Sequence, residues 1–382
     1  MRIGIDYTAA VQQRAGIGRY TRELVAALSA LDRTNRYVLL VSGRSEAREG
    51  LPQLGSNFRR RRLPLSHRWT TLLWQRLRLP LPVELVTGRV DLFHSPDFVL
   101  PPVRWGGRLL TVHDLSFLRY PDLAAPGLAW YLEAAVRRSV ARADLIFADS
   151  KATREDLIDL WQMPERRIVV VYPGVRRSFA PVTLPARLEE IRRRYDLPPR
   201  FFLSVGTLEP RKNYPALLAA YARARSSGLE HGLVVAGAEG WGYEAIYRAV
   251  ERLGLQSSVQ FLGFVPEADL PALYSLADAF LYPSLYEGFG LPPLEAMACG
   301  TPVLASNAPS LPEILGHAAQ LLSPFDAEGW AAALGRAVED QGLRAEMVRR
   351  GRARAAKFRW EDAADQVLEA YLRVARQSRD VT

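Results

Sequence analysis

The chain has 382 residues, 48% hydrophobic and 24% charged, a globular balance with room for two domains that excludes a disordered chain. A net charge of +9 asks for an anionic partner: nucleotide phosphate, anionic lipid or nucleic acid. The single cysteine, Cys299, excludes an internal disulfide and reads as a small core residue, and no run of about 18 apolar residues reads as a membrane span.

The chain opens directly on a strand, Arg2–Asp6, with no charged and apolar leader, so a cytoplasmic location is expected. Further strands are predicted at Tyr37–Val41, Val90–His94, Leu109–His113, Leu145–Ala148 and Ile168–Val171. Helical spacing runs through Ile17–Leu31, Gly127–Ala143 and Ala152–Trp161. Short apolar strands alternating with helices predict a parallel sheet covered on both faces. A break follows at Tyr172-Pro173-Gly174-Val175, then a charged stretch, Arg187–Arg194, and Pro198-Pro199. The alternation restarts with strands at Phe201–Val205, Leu233–Ala236, Val259–Leu262, Ala279–Tyr282 and Val303–Ala305. Helices are predicted near Tyr214–Ala224, Tyr243–Leu253, Glu267–Leu276, Pro292–Ala298, Ala327–Glu339, Leu343–Ala356 and Trp360–Arg376. The fold class is therefore α/β, with two doubly wound Rossmann-like domains, 1–175 and 198–359, joined near residues 173–199 and facing a cleft.

The most informative stretch is Glu287-Gly288-Phe289-Gly290-Leu291-Pro292-Pro293-Leu294-Glu295. It lies between a strand ending at Pro283 and a helix whose first turn accepts Pro292 and Pro293. The N–H groups at a helix start suit an anion, and the two carboxylates suit sugar hydroxyls. Taken alone, two such glutamates are more often solvated; their place at the carboxyl end of a parallel strand favours a ligand.

Four weaker constellations accompany it. Gly16-Ile17-Gly18-Arg19-Tyr20 opens a helix after the first strand, without the third glycine of a dinucleotide fingerprint. Gly206-Thr207-Leu208-Glu209-Pro210-Arg211-Lys212-Asn213 follows the first strand of the second half, where Arg211 and Lys212 suit a diphosphate or are a solvated basic turn. His113-Asp114 ends a strand, with His94-Ser95-Pro96-Asp97 a weaker case; His67, His231 and His317 fall in loops or element ends. Gly263-Phe264-Val265-Pro266 is a nucleobase shelf or a plain turn. No metal-ligand cluster is apparent, and Asp156 and Asp159 read as surface residues at helical spacing.

Taken together and in this order, these motifs resemble the retaining GT-B glycosyltransferases of family 4, also called group 1. The resemblance covers nearly the whole chain and includes the ending Ala298-Cys299-Gly300-Thr301-Pro302-Val303. Within the family, Gly16-Ile17-Gly18-Arg19-Tyr20 and Val112-His113-Asp114 look most like bacterial mannosyltransferases of O-antigen or related polysaccharides. The resemblance implies that Glu295 binds ribose hydroxyls and Glu287 hydroxyls of the transferred hexose. Phe289, Gly290 and Leu291 would contact sugar or phosphate, and Arg211 and Lys212 the departing diphosphate, beside Gly206 and Val265. Gly16 and Gly18 would close the phosphate and acceptor side, and His113 would contact the donor sugar. It further implies a final helix, 360–382, packed back on the first domain, a nucleotide-sugar donor such as GDP-mannose, and no metal or other cofactor. Arg176 stands where the family often has Asp or Asn.

UDP-glucose or another nucleotide sugar remains an alternative donor, and a nucleotide-sugar epimerase or a glycogen-synthase-like polymerase an alternative enzyme. A nucleic-acid-binding role has charge in its favour but no recognised motif. Arg59-Arg60-Arg61-Arg62 precedes Trp69, Leu72, Leu73, Trp74 and Leu77, with Arg76 and Arg78 interleaved. This region, Arg59–Leu77, reads either as a helix lying on an anionic inner-membrane surface, hinting at a lipid-linked acceptor, or as a core-facing helix beside a solvated basic loop.

Overall fold

Apolar runs such as Phe201-Phe202-Leu203 and Leu145-Ile146-Phe147 are buried without alternation, which is what a strand covered on both faces requires. A computed structural model describes residues 1–13, 16–43, 51–66, 69, 70, 72–77 and 79–380, the side chains of 75 and 378–380 excepted. His67 and Arg78 lie outside the described residues. The chain divides into two units: Met1–Pro121, Pro126–Gly174 and Arg359–Thr382 in the first, Asp122–Ala125 and Val175–Phe358 in the second.

Among the described residues, the first unit holds seven strands: β1 (Arg2–Asp6), β2 (Arg36–Ser42), β3 (Phe58–Leu63), β4 (Leu92–Ser95), β5 (Gly107–Val112), β6 (Leu145–Ala148) and β7 (Ile168–Val170). Their order is β3-β2-β1-β4-β5-β6-β7, all neighbours parallel. The winding reverses between β1 and β4, the switch point where open sheets receive ligands. The helix Ile17–Leu31 packs Tyr20, Leu24, Val25 and Leu28 into the core on one side. The last helix, Trp360–Asp380, supplies Trp360, Ala363, Ala364, Val367, Tyr371 and Val374 to the same cluster. Gly18 is where the chain needs no side chain: a Cβ there would lie 2.6 Å from the carbonyl oxygens of Ala9 and Gln13.

The second unit holds β8 (Phe201–Val205), β9 (Gly232–Ala236), β10 (Val259–Gly263), β11 (Ala279–Tyr282), β12 (Val303–Ser306) and β13 (Gln320–Leu322), in the order β10-β9-β8-β11-β12-β13. Its strands are also parallel, and its winding reverses between β8 and β11. The core is built on Phe202, Leu217, Tyr221, Leu233, Leu281 and Trp330.

Several sequence expectations need correction. Arg59–Arg62 are neither a loop nor part of a helix; they form the edge strand β3, paired in parallel with Leu39 and its neighbours and exposed along their length. A run of charge on both faces is a way to blunt an open sheet edge. Among the described residues of the segment that follows, Trp69 and Thr70 are helical and so is the turn Leu72–Arg76. Arg187–Arg194, read as a charged connection, belongs to a helix, Pro185–Tyr195, of the second unit. There Arg187, Arg194 and the Tyr195 hydroxyl all donate to the buried Asp269 carboxylate. Asp156 is buried against Arg119 at 2.6 Å, while Asp159 is exposed as expected.

Candidate functional site

The switch point of the second unit brings two loops together. The loop after β8 runs through a short turn, Pro210–Lys212, and ends at Asn213, whose φ of +57° reverses the backbone. Asn213 Nδ2 donates to the carbonyls of Pro283 and Pro324, at 3.2 and 2.9 Å. Leu285 N–H donates to Arg211 O at 2.9 Å. These bonds fasten the β8 loop to those after β11 and β13, so the side chains between them are positioned before any ligand arrives.

Those side chains form an ionic network, with Lys212 and Glu287 buried and Arg211 and Glu209 part-buried at its edge. Lys212 Nζ donates to Glu287 Oε1 at 2.6 Å and to the Tyr282 hydroxyl at 3.1 Å. Arg211 reaches Glu287 Oε2 at 3.2 Å, the Tyr286 carbonyl at 2.9 Å and Glu209 Oε1 at 2.8 Å. Burial opposes the charge on Glu287, but Lys212 and Arg211 outweigh it and hold its pKa down at about 2. Burial pulls the Lys212 pKa below its ordinary value. The sequence pictured Arg211 and Lys212 reaching freely for a phosphate; in the fold both are paired with carboxylates. Glu209, absent from the sequence reading as a site residue, completes the set, and its spacing two residues before Arg211 is the signal that could have found it.

Glu287 leads into the tight turn Gly288–Gly290. Gly290 has φ +102° and caps the helix Leu291–Ala298, and a Cβ there would meet Leu311 at 2.6 Å. Pro292 and Pro293 fall in the first turn as expected, which leaves Phe289, Gly290 and Leu291 as the residues with N–H groups at that end. Ser310 donates to Phe289 O at 3.1 Å and holds the turn. Glu295 lies one helical turn further on, almost fully buried, its Oε2 accepting from the Tyr274 hydroxyl at 3.2 Å. Gly206 follows β8, and a Cβ there would touch Lys212 Cε at 3.5 Å. Val265 is buried, and it is the neighbouring Phe264 that is exposed. Arg176 pairs with Glu267 at 2.7 Å. Cys299 is buried, with its thiol pKa pushed up by that burial.

His113, Gly16 and Gly18 lie in the first unit. Gly16 caps the helix Ile17–Leu31 at φ +55° with open space beside it. His113 is the first residue after β5 and donates Nδ1–H to Asp149 Oδ2 at 2.7 Å. Asp149 was missed in the sequence, although it too is the first residue after a predicted strand. His94 is a core histidine: it contacts the Tyr371 hydroxyl at 2.6 Å and Thr111 at 2.9 Å, and burial holds its pKa down at about 3. Among the described residues, no group of three or more His, Cys, Asp or Glu side chains is placed to hold a metal ion.

Comparison with known proteins bears on the family and the fold. The family described as Glycosyltransferase Family 4 matches residues 14–179, and Glycosyl transferases group 1 matches residues 189–354. O-antigen chain mannosyltransferase B of Escherichia coli is 34% identical over 367 residues, covering 93% of this chain and 95% of that protein. A D-inositol 3-phosphate glycosyltransferase of Salinispora tropica is 34% identical over 311 residues, 74% of this chain and 64% of that one. Among solved structures, sucrose-phosphate synthase from Thermosynechococcus elongatus superposes with a TM-score of 0.77 at 22% identity, with 100% of both chains covered. Anabaena HepE, solved with UDP and glucose, gives 0.76 at 20% identity over 97% of this chain and 98% of that one. With one relative 34% identical along nearly its whole length, family matches in both halves and two parallel-sheet units of this topology, the chain belongs to the group 1, family 4 glycosyltransferases of GT-B fold.

Proposed function

We propose that this glycosyltransferase moves mannose from GDP-mannose, with retention of anomeric configuration, onto a glycan or lipid-linked acceptor in cell-surface polysaccharide synthesis. The observation that carries the reading is the Glu209–Arg211–Glu287–Lys212 network at the switch point of the second unit. Lys212 and Arg211 are the cations available for the charge that grows on the leaving diphosphate, together with the N–H groups from Phe289 to Leu291. Preorganised donors of this kind act without needing a metal. Glu287 would hold hexose hydroxyls and Glu295 the ribose, with Gly206 and Val265 beside the nucleotide. His113, Gly16 and Gly18 would serve the sugar and acceptor from the first unit, making 198–359 the donor domain and 1–175 with the last helix the acceptor domain.

Retention without a covalent intermediate is supported by the state of Glu287. Both its oxygens already accept hydrogen bonds from cations, which makes it a poor nucleophile and a good hydrogen-bond acceptor. Mannose is supported by the Escherichia coli relative, whose name carries that activity. Thermal stabilisation by a panel of nucleotides and nucleotide sugars tests the donor. Selective stabilisation by GDP and GDP-mannose, lost in Glu295→Ala, is the expected result; selective response to UDP-glucose replaces the donor, and no response to any removes the nucleotide-sugar reading. A change in the sugar with no transfer to an acceptor would favour an epimerase.

Contact with the cytoplasmic face of an anionic membrane is the second part of the proposal. No helix among the described residues is long and apolar enough to cross a membrane. The Arg59–Arg62 edge strand ends beside an apolar pocket of about 70 Å³ lined by Leu63, Leu73, Trp74, Leu81 and Leu85, while Trp69 and Leu77 are more than half exposed. Cationic and apolar groups side by side suit an anionic lipid surface. Flotation with phosphatidylglycerol vesicles should be lost when Arg59–Arg62 are changed to serine; undiminished binding rejects this part.

A further inference from the structure

The ends of three strands of the first unit meet at one point, two through side chains and one through a backbone carbonyl. Val112 and Ala148 are register partners of β5 and β6, so the residues that follow them, His113 and Asp149, leave the sheet side by side. His113 Nδ1–H donates to Asp149 Oδ2 at 2.7 Å, and Nε2–H donates to the Pro96 carbonyl, just past β4, at 3.3 Å. A ring that donates from both nitrogens is an imidazolium. Around it stand Tyr20, edge-on at 4.8 Å from the helix Ile17–Leu31, and Phe98 at 5.5 Å. Thr153 donates to the His113 carbonyl at 3.1 Å and fixes the backbone beneath the ring.

The charges facing the ring favour the cation. Burial works against it, but Asp149 outweighs burial, with smaller help from Asp97 and the Pro96 carbonyl, and the pKa is pushed up to about 9. His94, the nearest other histidine, is held neutral by burial, and the Tyr20 phenol is pushed up by burial and stays neutral too. Asp114, the residue after His113, acts on Asp149 rather than on the ring.

Two features set this pair apart from a core ion pair that serves stability alone. Asp149 Oδ1 is buried with no hydrogen-bond partner, so the carboxylate is satisfied only toward His113. The His113 side chain keeps 11% of its surface open, so the cation remains reachable. We propose that Asp149 is a positioning residue for glycosyl transfer, holding His113 fixed and positively charged so that it meets the substrate as a charged donor and not as a base. This rests on the reading above that His113 contacts the donor sugar.

The test compares Asp149→Asn, Asp149→Glu and His113→Gln in the full chain. The readouts are kcat and KM from pH 6 to 10, with the nucleotide sugar identified by thermal stabilisation, and the nitrogen-15 resonances of His113. Asp149→Asn should lower kcat at pH 8 by about tenfold or more with KM little changed. The basic limb of its rate profile should move from about 9 toward the ordinary histidine value, near ~6.5, and Asp149→Glu should restore part of both. The wild-type limb near 9, absent in His113→Gln, gives the same information if Asp149→Asn does not fold. An Asp149→Asn enzyme with wild-type kcat and an unmoved profile overturns the proposal while leaving His113 in place, provided His113→Gln is impaired. A fully active His113→Gln overturns the reading of His113 itself, and with it the proposal.

Discussion

Glu287 accepts from two cations at once, the buried Lys212 and the part-buried Arg211. Lys212→Ala therefore has two expected effects. Transfer should slow by at least about tenfold, as loss of a preorganised donor does. Stability should also fall, by about 3–5 kcal/mol in urea unfolding, because the buried carboxylate loses its nearest counter-charge. Unchanged turnover would remove Lys212 from the phosphate site. The two perturbed groups also bound the stable pH range. Glu287, held down at about 2 against an ordinary 4.5, contributes stability above 4.5 that disappears as pH falls through about 2. His113, raised from 6.5 to about 9, contributes below 6.5 and loses that contribution as pH rises through about 9. Tm measured from pH 7 to 10 should drop more steeply in the wild type than in His113→Gln.

Elements differ in how plainly the sequence announces them. β1, β6, β8 and β11 were legible to the residue because parallel central strands are buried runs bounded by turns or charge. β3 was not: four consecutive arginines carry no alternation, and only pairing with β2 makes them a strand. The helix Pro185–Tyr195 hid for a related reason, since its partner Asp269 comes from 74 to 82 residues away. The motifs around Glu287 and Arg211 were legible as positions, because first residues after parallel strands face the ligand end of the sheet. Their mutual pairing was not, since it depends on which strands are neighbours, and the same ignorance concealed Asp149. At this scale Gly18 offers a clean test. A methyl group there meets two backbone carbonyls between the helices Thr8–Gln12 and Ile17–Leu31, neither of which is the end of a flexible side chain. Gly18→Ala should cost about 1–3 kcal/mol in urea unfolding; a neutral substitution would mean that the two helices separate freely.

At the scale of the whole chain, the last helix belongs to the core of the first unit although the second unit lies between them in sequence. Deleting Arg359–Thr382 removes Trp360, Val367, Tyr371 and Val374 from that core. Limited proteolysis of the truncated chain should then digest residues before Gly174 rapidly and spare Val175–Phe358; equal resistance of both parts would show that the first unit closes without the helix. The same connectivity has a consequence during synthesis. A ribosome moving at about 5–20 residues per second exposes the opening segments many seconds before their closing helix emerges. The part made in the middle has all of its own core by then. The order of completion on the ribosome is thus inverted: the amino-terminal half waits, with an apolar face uncovered, for the carboxyl terminus, and in that interval it is a natural client for a holding chaperone.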